Sequence, residues 1–278
     1  MKGKIYAPTR LNDLPVNLLD NSNFRAASII NQYNYASGTS LGDYEMILDR
    51  WRNEKSVNGY TLSPEGLITT PQSSFYQAVA GLRNGGIYTF AVGTSMGLYT
   101  VSCTLAITGT WYIMGTTDTP FGHVRIDDAG YGGVVNCLIR SDNSVVVYWA
   151  ALYEGAYTVD TLPSYTPRPY SIELAECQRY YWRVHFDQYE TISMGYEGPK
   201  YAILQMSAPV QMRVKHLGFA QSGVIHLGSY DRVFSGAKCI GTAIIMVLNY
   251  SLIQSPVGGT YGYTPIADGV TLTFSAEL

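Results

Sequence analysis

Strict alternation is the feature that most limits what this chain can fold into. Between residues 44 and 153 apolar and polar side chains trade places in short runs: "YEMILDRW" (44–51), "FYQAVA" (75–80), "GIYTFAVGTS" (86–95), "LYTVSCTLAI" (98–107), "GVVNCLIR" (133–140) and "SVVVYWAALY" (144–153). Successive side chains of a strand point to opposite faces, so a period of two buries one face and wets the other. Gly, Asn, Ser and Pro separate the runs, as turns between strands require. Short strands punctuated in this way predict a sandwich or jelly roll. Tyrosine outnumbers phenylalanine 24 to 8, beside 28 glycines, which suits strands and glycine-rich turns. A tyrosine surplus also suits a recognition surface, because the ring gives contact area at little entropic cost and keeps a polar tip.

The alternation stops at "LPSYTPRPY" (162–170), with prolines at 163, 167 and 169. Proline fixes φ and withholds a backbone donor, so this stretch cannot run inside a sheet and is expected to link two domains. "SIELAECQRYYW" (171–182) follows. Ser171 is placed to cap a helix over Ile172–Tyr181, with Leu174, Gln178 and Tyr181 on one face. About ten residues are too few for a helix that stands alone, so it must dock on something. Strand patterns then resume in "YETISMGYE", "YAILQMSAPVQMRV", "GVIHLGSY", "TAIIMVLNYSLI" and "GVTLTFSAEL". The expected fold class is all-β: an N-terminal leader (1–16), a jelly-roll β-sandwich (17–161), a Pro-rich hinge with a short helix (162–182) and a small C-terminal β domain (183–278). The loop "SPVGGTYGYTP" (255–265) is too rich in Gly and Pro for a strand.

Charged residues make up 14% and the net charge is −3, which argues against a phosphate-binding surface for nucleic acid. The first residues show no h-region of a signal peptide, and "IIMVLNYSLI" is far shorter than the roughly 20 residues a spanning helix needs. The expectation is a soluble, non-secreted chain. Cys103, Cys137, Cys177 and Cys239 are widely spaced and expected as buried free thiols. The sequon at Asn249 lies in an apolar strand pattern and is set aside.

Chemical motifs are sparse. Gly93-Thr94-Ser95-Met96-Gly97 matches G-x-S-x-G, but a strand rather than a helix follows, so a hairpin turn is expected and not a nucleophile elbow. His123, His185, His216 and His226 have no metal spacing. Asp127 and Asp128 are adjacent: on a strand their carboxylates diverge, and in a turn "DDAG" bonds back to its own backbone. Phosphate-cradling glycine motifs are absent, no cofactor is expected, and the chain is expected to be no enzyme. The oxygen-rich "LLDNSN" is a candidate for a structural calcium site, since that ion takes six to eight oxygens. Trp51, Trp111 and Trp149 sit in strand patterns and are expected in the core.

The succession "NLLDNSNFR", "ILDRW", "YQAVAGLRNGGIYTFAV" and "WAALYEGAYTVDTLPSYTPRPYSIELAECQRYYWRV" resembles bacteriophage tail-fibre and related virion structural proteins, in which a jelly roll like a carbohydrate-binding module precedes a Pro-rich hinge. The hinge leads to an EL-x-x-C-Q-R-Y-Y segment, here Glu173, Leu174, Cys177, Gln178, Arg179, Tyr180 and Tyr181. "SAPVQMR" (207–213) and the ending "FSAEL" are similar to the small C-terminal β domain of such proteins. The short leader departs from the family, leaving open a fibre tip, a head decoration or an adaptor.

The resemblance implies a virion protein made in the bacterial cytoplasm, a homotrimer that meets other virion proteins and attaches to host-surface glycan. It implies no membrane insertion. The alternatives are a bacterial carbohydrate-binding surface protein and a glycan depolymerase. Leu174, Cys177, Gln178, Arg179 and Tyr181 are expected at the oligomer interface, where the short helix would pack beside its symmetry mates. Sugar rings stack on aromatic faces, so the loop tyrosines Tyr33, Tyr35, Tyr44, Tyr261 and Tyr263 are the expected glycan contacts.

Overall fold

The computed structural model describes residues 15–55, 59–130, 133–186, 195–197, 201–210, 212, 218–227, 230–232, 234–240, 243–249 and 266–275. The chain divides into two compact units, Met1–Glu173 and Leu174–Leu278. Strands dominate both, as the alternation predicts.

The first unit carries β1 (Met46–Leu48), β2 (Trp51–Lys55), β3 (Thr61–Leu62), β4 (Leu67–Ile68), β5 (Ser73–Ala80) and β6 (Ile87–Thr94). It continues with β7 (Gly97–Thr104), β8 (Trp111–Thr119), β9 (Gly122–Ala129), β10 (Val134–Ser141) and β11 (Val146–Glu154). Six form an antiparallel sheet in the order β1-β2-β5-β10-β9-β8, and five form a second in the order β3-β4-β11-β6-β7. Phe75, Val124 and Ile139 from the first sheet and Leu67, Phe90 and Val147 from the second fall in one hydrophobic core, a sandwich-like arrangement. At its centre Phe24, Trp51 and Phe75 meet edge to face, with ring centroids 5.0, 5.5 and 5.8 Å apart. Edge-to-face contact matches the positive rim of one ring to the negative face of the next.

Two local departures from the sequence pattern matter. The run "YEMILDRW" is a hairpin rather than one strand: Leu48 pairs with Trp51 across a turn at Asp49-Arg50, and Arg50 has φ 71°. Alternation hides this turn, because a two-residue reversal preserves the period. The second departure is β8 with β9, which the pattern missed. Pairing between them shifts at Ile113 to Gly115, and such a bulge breaks the alternation that would have revealed β8.

The proline stretch, expected to link two domains, runs as a strap on the first unit up to the boundary at Glu173 and Leu174. Tyr165 stacks on Trp149 with centroids 4.6 Å apart and planes 6° apart. Arg168 donates to the Asp20 carboxylate at 2.9 Å and to the Asn17 carbonyl at 2.6 Å. Prolines keep the strap extended and out of the ladder, while Tyr165 and Arg168 fasten it. The helix α1 (Tyr170–Gln178) starts earlier than expected. Its first amides, Ile172 and Glu173, donate to the Pro169 carbonyl at 3.0 Å, so Pro169 rather than Ser171 sits at the cap position. Tyr181 leaves the helix and opens a strand.

The second unit contains β12 (Tyr181–His185), β13 (Gly195–Glu197), β14 (Tyr201–Ser207), β15 (Gly218–Leu227), β16 (Tyr230–Arg232), β17 (Phe234–Ile240), β18 (Ala243–Asn249) and β19 (Ile266–Ser275). They form two four-stranded sheets, β12-β19-β15-β16 and β13-β14-β18-β17. Leu204, Ile244, Met246, Leu272 and Phe274 are buried, and Trp182 stacks on Phe274 at 5.4 Å. No helix among the described residues is long and apolar enough to cross a membrane.

Candidate functional site

The two faces of the six-stranded sheet differ in chemistry because its strands alternate. Inward go Phe75, Val124, Ile126, Val135, Cys137 and Ile139, all in the core. Outward goes a mixed set fixed by register: Leu138 pairs with Tyr76 on one side and Arg125 on the other, while Asn136 pairs with Asp127 and Asp127 with Ile113. These side chains floor a groove of about 310 Å³, walled by Tyr44, Glu54, Trp111 and Tyr112. That volume lies in the range of roughly 300–1,000 Å³ usual for small-molecule sites.

The walls are aromatic and open. Trp111 is 64% exposed and Tyr112 57%, both at the start of edge strand β8, and Tyr44 is 59% exposed. Gly130 lies against Trp111: its φ is 73°, and a Cβ there would come within 3.2 Å of the indole Cδ1. Tyr44 holds its backbone at φ 66°, an uncommon setting for a bulky side chain that costs of order 1 kcal/mol. Its amide is tied to the Asn53 carbonyl at 2.7 Å, which keeps the residue at the groove rim.

The floor carries an ion pair. Arg125 Nη2 donates to Asp127 Oδ2 at 2.6 Å, and the Asp127 side chain is 6% exposed. Two neighbouring atoms, Arg125 Nε and Asp127 Oδ1, are buried with no hydrogen-bond partner in the protein. An unsatisfied buried polar atom costs about 1–3 kcal/mol, so each such atom needs a reason. Burial pushes the Asp127 carboxyl above its ordinary range; Arg125 opposes this, and the nearby Glu54 charge adds to it. A buried donor and a buried acceptor without protein partners thus belong to two residues that line one aromatic-rimmed groove.

A second cavity of about 580 Å³ lies at the strap, lined by Arg25, Leu98, Trp149, Pro163 and Tyr165 among others. It is larger, yet none of the orphaned buried atoms found among the described residues belongs to it. The groove is therefore the stronger site.

Of the expected glycan contacts, Tyr44 lies in the groove. Tyr35 is corrected: it is buried, and its hydroxyl donates to the Tyr60 carbonyl at 2.9 Å and accepts from the Tyr60 amide at 2.6 Å, so it braces a loop. Tyr33 is half-buried and does not line the groove. Tyr261 and Tyr263 lie outside the described residues. Trp51 is a core residue as expected, fully buried and donating from Nε1 to the Asn21 carbonyl at 2.9 Å. Trp111 is corrected from core to groove wall, and Trp149 from core to the seat of the strap. Arg125, Asn136 and Tyr76 were not anticipated. Three successive large apolar residues, Trp111-Tyr112-Ile113, cannot all face one core on a strand, and that was the available signal.

The expected interface residues divide. Cys177 and Tyr181 are already buried in the single chain, Leu174 and Gln178 are half-buried, and Arg179 is exposed and pairs with Glu176 at 3.0 Å. On α1 the exposed apolar side chains are Tyr170 and Ile172.

Other candidates resolve into structure. In "LLDNSN" the Asp20 carboxylate holds Arg168 at 2.9 Å and Arg50 at 3.3 Å, and Asn21 Oδ1 accepts from the Ile30 amide. Two guanidinium groups occupy the place a cation would take. Among the described residues no cluster of three His, Cys, Asp or Glu could hold a metal. Gly93–Gly97 is the β6–β7 hairpin, where the Val146 amide donates to Ser95 Oγ at 3.2 Å. Asp128 diverges from Asp127 as a strand requires. Burial pushes its carboxyl up, but hydrogen bonds from the Thr108, Gly109 and Gly130 amides and the Thr108 hydroxyl outweigh that and hold it below its ordinary value. Burial raises the Cys103 thiol to about 11 and Cys137 well above its usual range, so neither is a nucleophile at neutral pH.

The chain matches no protein-family model, and no curated protein is significantly similar to it.

Proposed function

We propose that this is a non-enzymatic structural and adhesion protein of the bacteriophage virion type, which uses the groove on its first unit to hold host-surface glycan and works as an oligomer, most simply a homotrimer. The observation that carries the reading is the groove: Trp111, Tyr112 and Tyr44 over a half-buried Arg125 paired with a buried Asp127, each with one polar atom that has no hydrogen-bond partner in the protein. Sugars have apolar ring faces and polar edges, and this combination of flat aromatic walls and a polar floor matches both. The first unit would serve as the jelly-roll binding module that the resemblance implies. Tyr170 and Ile172, the exposed apolar side chains of α1, are the part of the helix that symmetry mates would cover, and of the expected interface residues Arg179, just past the helix, is exposed.

The depolymerase alternative has one observation in its favour, a raised Asp127 carboxyl near Glu54 in one groove. The Arg125 clamp weighs against it, because a guanidinium at 2.6 Å opposes the proton a general acid must carry.

The test is a panel of host capsule and lipopolysaccharide fragments. Binding that Trp111→Ala abolishes, with no release of reducing ends on long incubation, supports a binder. Released oligosaccharide that Glu54→Gln stops would establish the depolymerase instead. Light scattering at micromolar concentration decides the assembly: a monomer removes the trimer.

A further inference from the structure

We infer that the groove selects a neutral sugar through two adjacent hydroxyls, and discriminates against sugars that carry a carboxylate. This deepens the glycan-binding reading and rests on it. The argument begins with the two orphaned atoms. Asp127 Oδ1 can only accept and Arg125 Nε–H can only donate, and both are buried in the groove floor. A hydroxyl does both, so once the two side chains shift enough to admit a ligand, one hydroxyl donating to Asp127 and its neighbour accepting from Arg125 would satisfy both atoms. The remaining oxygen of Asp127 and the Nη2 of Arg125 are already bonded to each other at 2.6 Å. That bond holds the two side chains against each other.

Charge then separates sugar classes. The groove's ionisable lining comprises Glu54, Asp127 and Arg125, with four aromatic phenol or indole groups otherwise neutral. Two carboxylates against one guanidinium leave the groove negative. A uronic or sialic carboxylate would bring an acceptor to Asp127, which needs a donor, and a like charge to Glu54. A neutral ring meets neither penalty, and it can lay its apolar face on Trp111 or Tyr112 at the open rim.

The experiment uses the full chain and isothermal titration at neutral pH with two probe sets: neutral gluco- and galacto-oligosaccharides, and oligogalacturonates of the same lengths. The expected result is at least tenfold tighter binding of a neutral probe. Asp127→Asn should weaken that binding tenfold or more, and Glu54→Gln should narrow the gap between neutral and acidic probes. Unchanged thermal melting of Glu54→Gln keeps the test valid even if Asp127→Asn folds poorly. Equal or tighter binding of the acidic probes, lost on Trp111→Ala, overturns the neutral-sugar inference and leaves the groove standing as a glycan site. Binding of either set that Trp111→Ala leaves intact overturns the groove itself. Failure of every neutral probe to bind at millimolar concentration overturns the inference as well.

Discussion

Tyr165 lies flat on Trp149, with centroids 4.6 Å apart and planes 6° apart, and this pair fastens the proline strap to the five-stranded sheet. The contact is tight from both sides. Beneath the indole is Gly93, where a Cβ would come within 2.5 Å of the ring. Burial, with a smaller contribution from the nearby Glu173 charge, raises the phenol of Tyr165 to about 12, so it stays neutral at every physiological pH. A stretch that composition marks as a linker is thus held as part of a folded unit.

Tyr165→Ala should free the strap. A stacked aromatic pair contributes about 0.5–1.5 kcal/mol beyond its burial, so the expected loss of stability is of order 1–3 kcal/mol. Limited proteolysis within residues 162–169 should accelerate. Tyr165→Phe keeps the stack and loses only a 3.4 Å contact with Ser22, so it should behave as the native chain.

Core and rim aromatics should separate cleanly. Phe75 is fully buried among Phe24, Trp51 and Tyr60, and Phe75→Ala should cost about 3–5 kcal/mol in chemical denaturation. Trp111 is largely exposed, and Trp111→Ala should stay within about 0.5 kcal/mol of native stability while abolishing ligand binding. A large loss of stability for Trp111→Ala would return that residue to a structural role.

Asp127 sets a pH dependence of definite sign. Its folded pKa is raised, chiefly by burial, so its contribution to stability is fully present below the unfolded value of about 4 and is lost as pH rises through the folded value. Asp127→Asn removes that titration. Its melting temperature, compared with the native chain, should improve as pH rises from about 4 to the folded value and level off above it. A difference that shrinks with rising pH would mean that Arg125 outweighs burial at this site.

Asp128 should behave in the opposite way. Its folded pKa is lowered, so its contribution is present above about 4 and lost as pH falls through the folded value. Asp128→Ala should lower the melting temperature at pH 7, and that gap should close in acid. Hydrogen exchange should quicken at the Thr108 and Gly130 amides, which lose their carboxylate acceptor.

The adjacent aspartates show how far the chain can be read directly. Neighbouring side chains on a strand must diverge, and so they do, one to the groove and one to the 108–110 turn. Tyr44 is exposed at the groove rim, as the loop reading of this tyrosine allows. The same reading misplaces Tyr35: composition cannot distinguish a phenol facing solvent from one bonded to a buried backbone. Trp111 was misplaced because a bulge suspends the period that marks faces.

Local pattern by itself settled that this chain builds strands, that its core is aromatic and aliphatic, and that the prolines interrupt the sheet. Those properties depend on the period of one strand and on the stiffness of one ring, and both are encoded within a few residues. Tertiary structure alone decided that Tyr44, Tyr76, Trp111, Arg125 and Asp127 share one groove and that Tyr165 pins the strap to Trp149. Such neighbours come from different strands, and strand order and register follow from which pairing buries the most apolar surface over the whole sandwich.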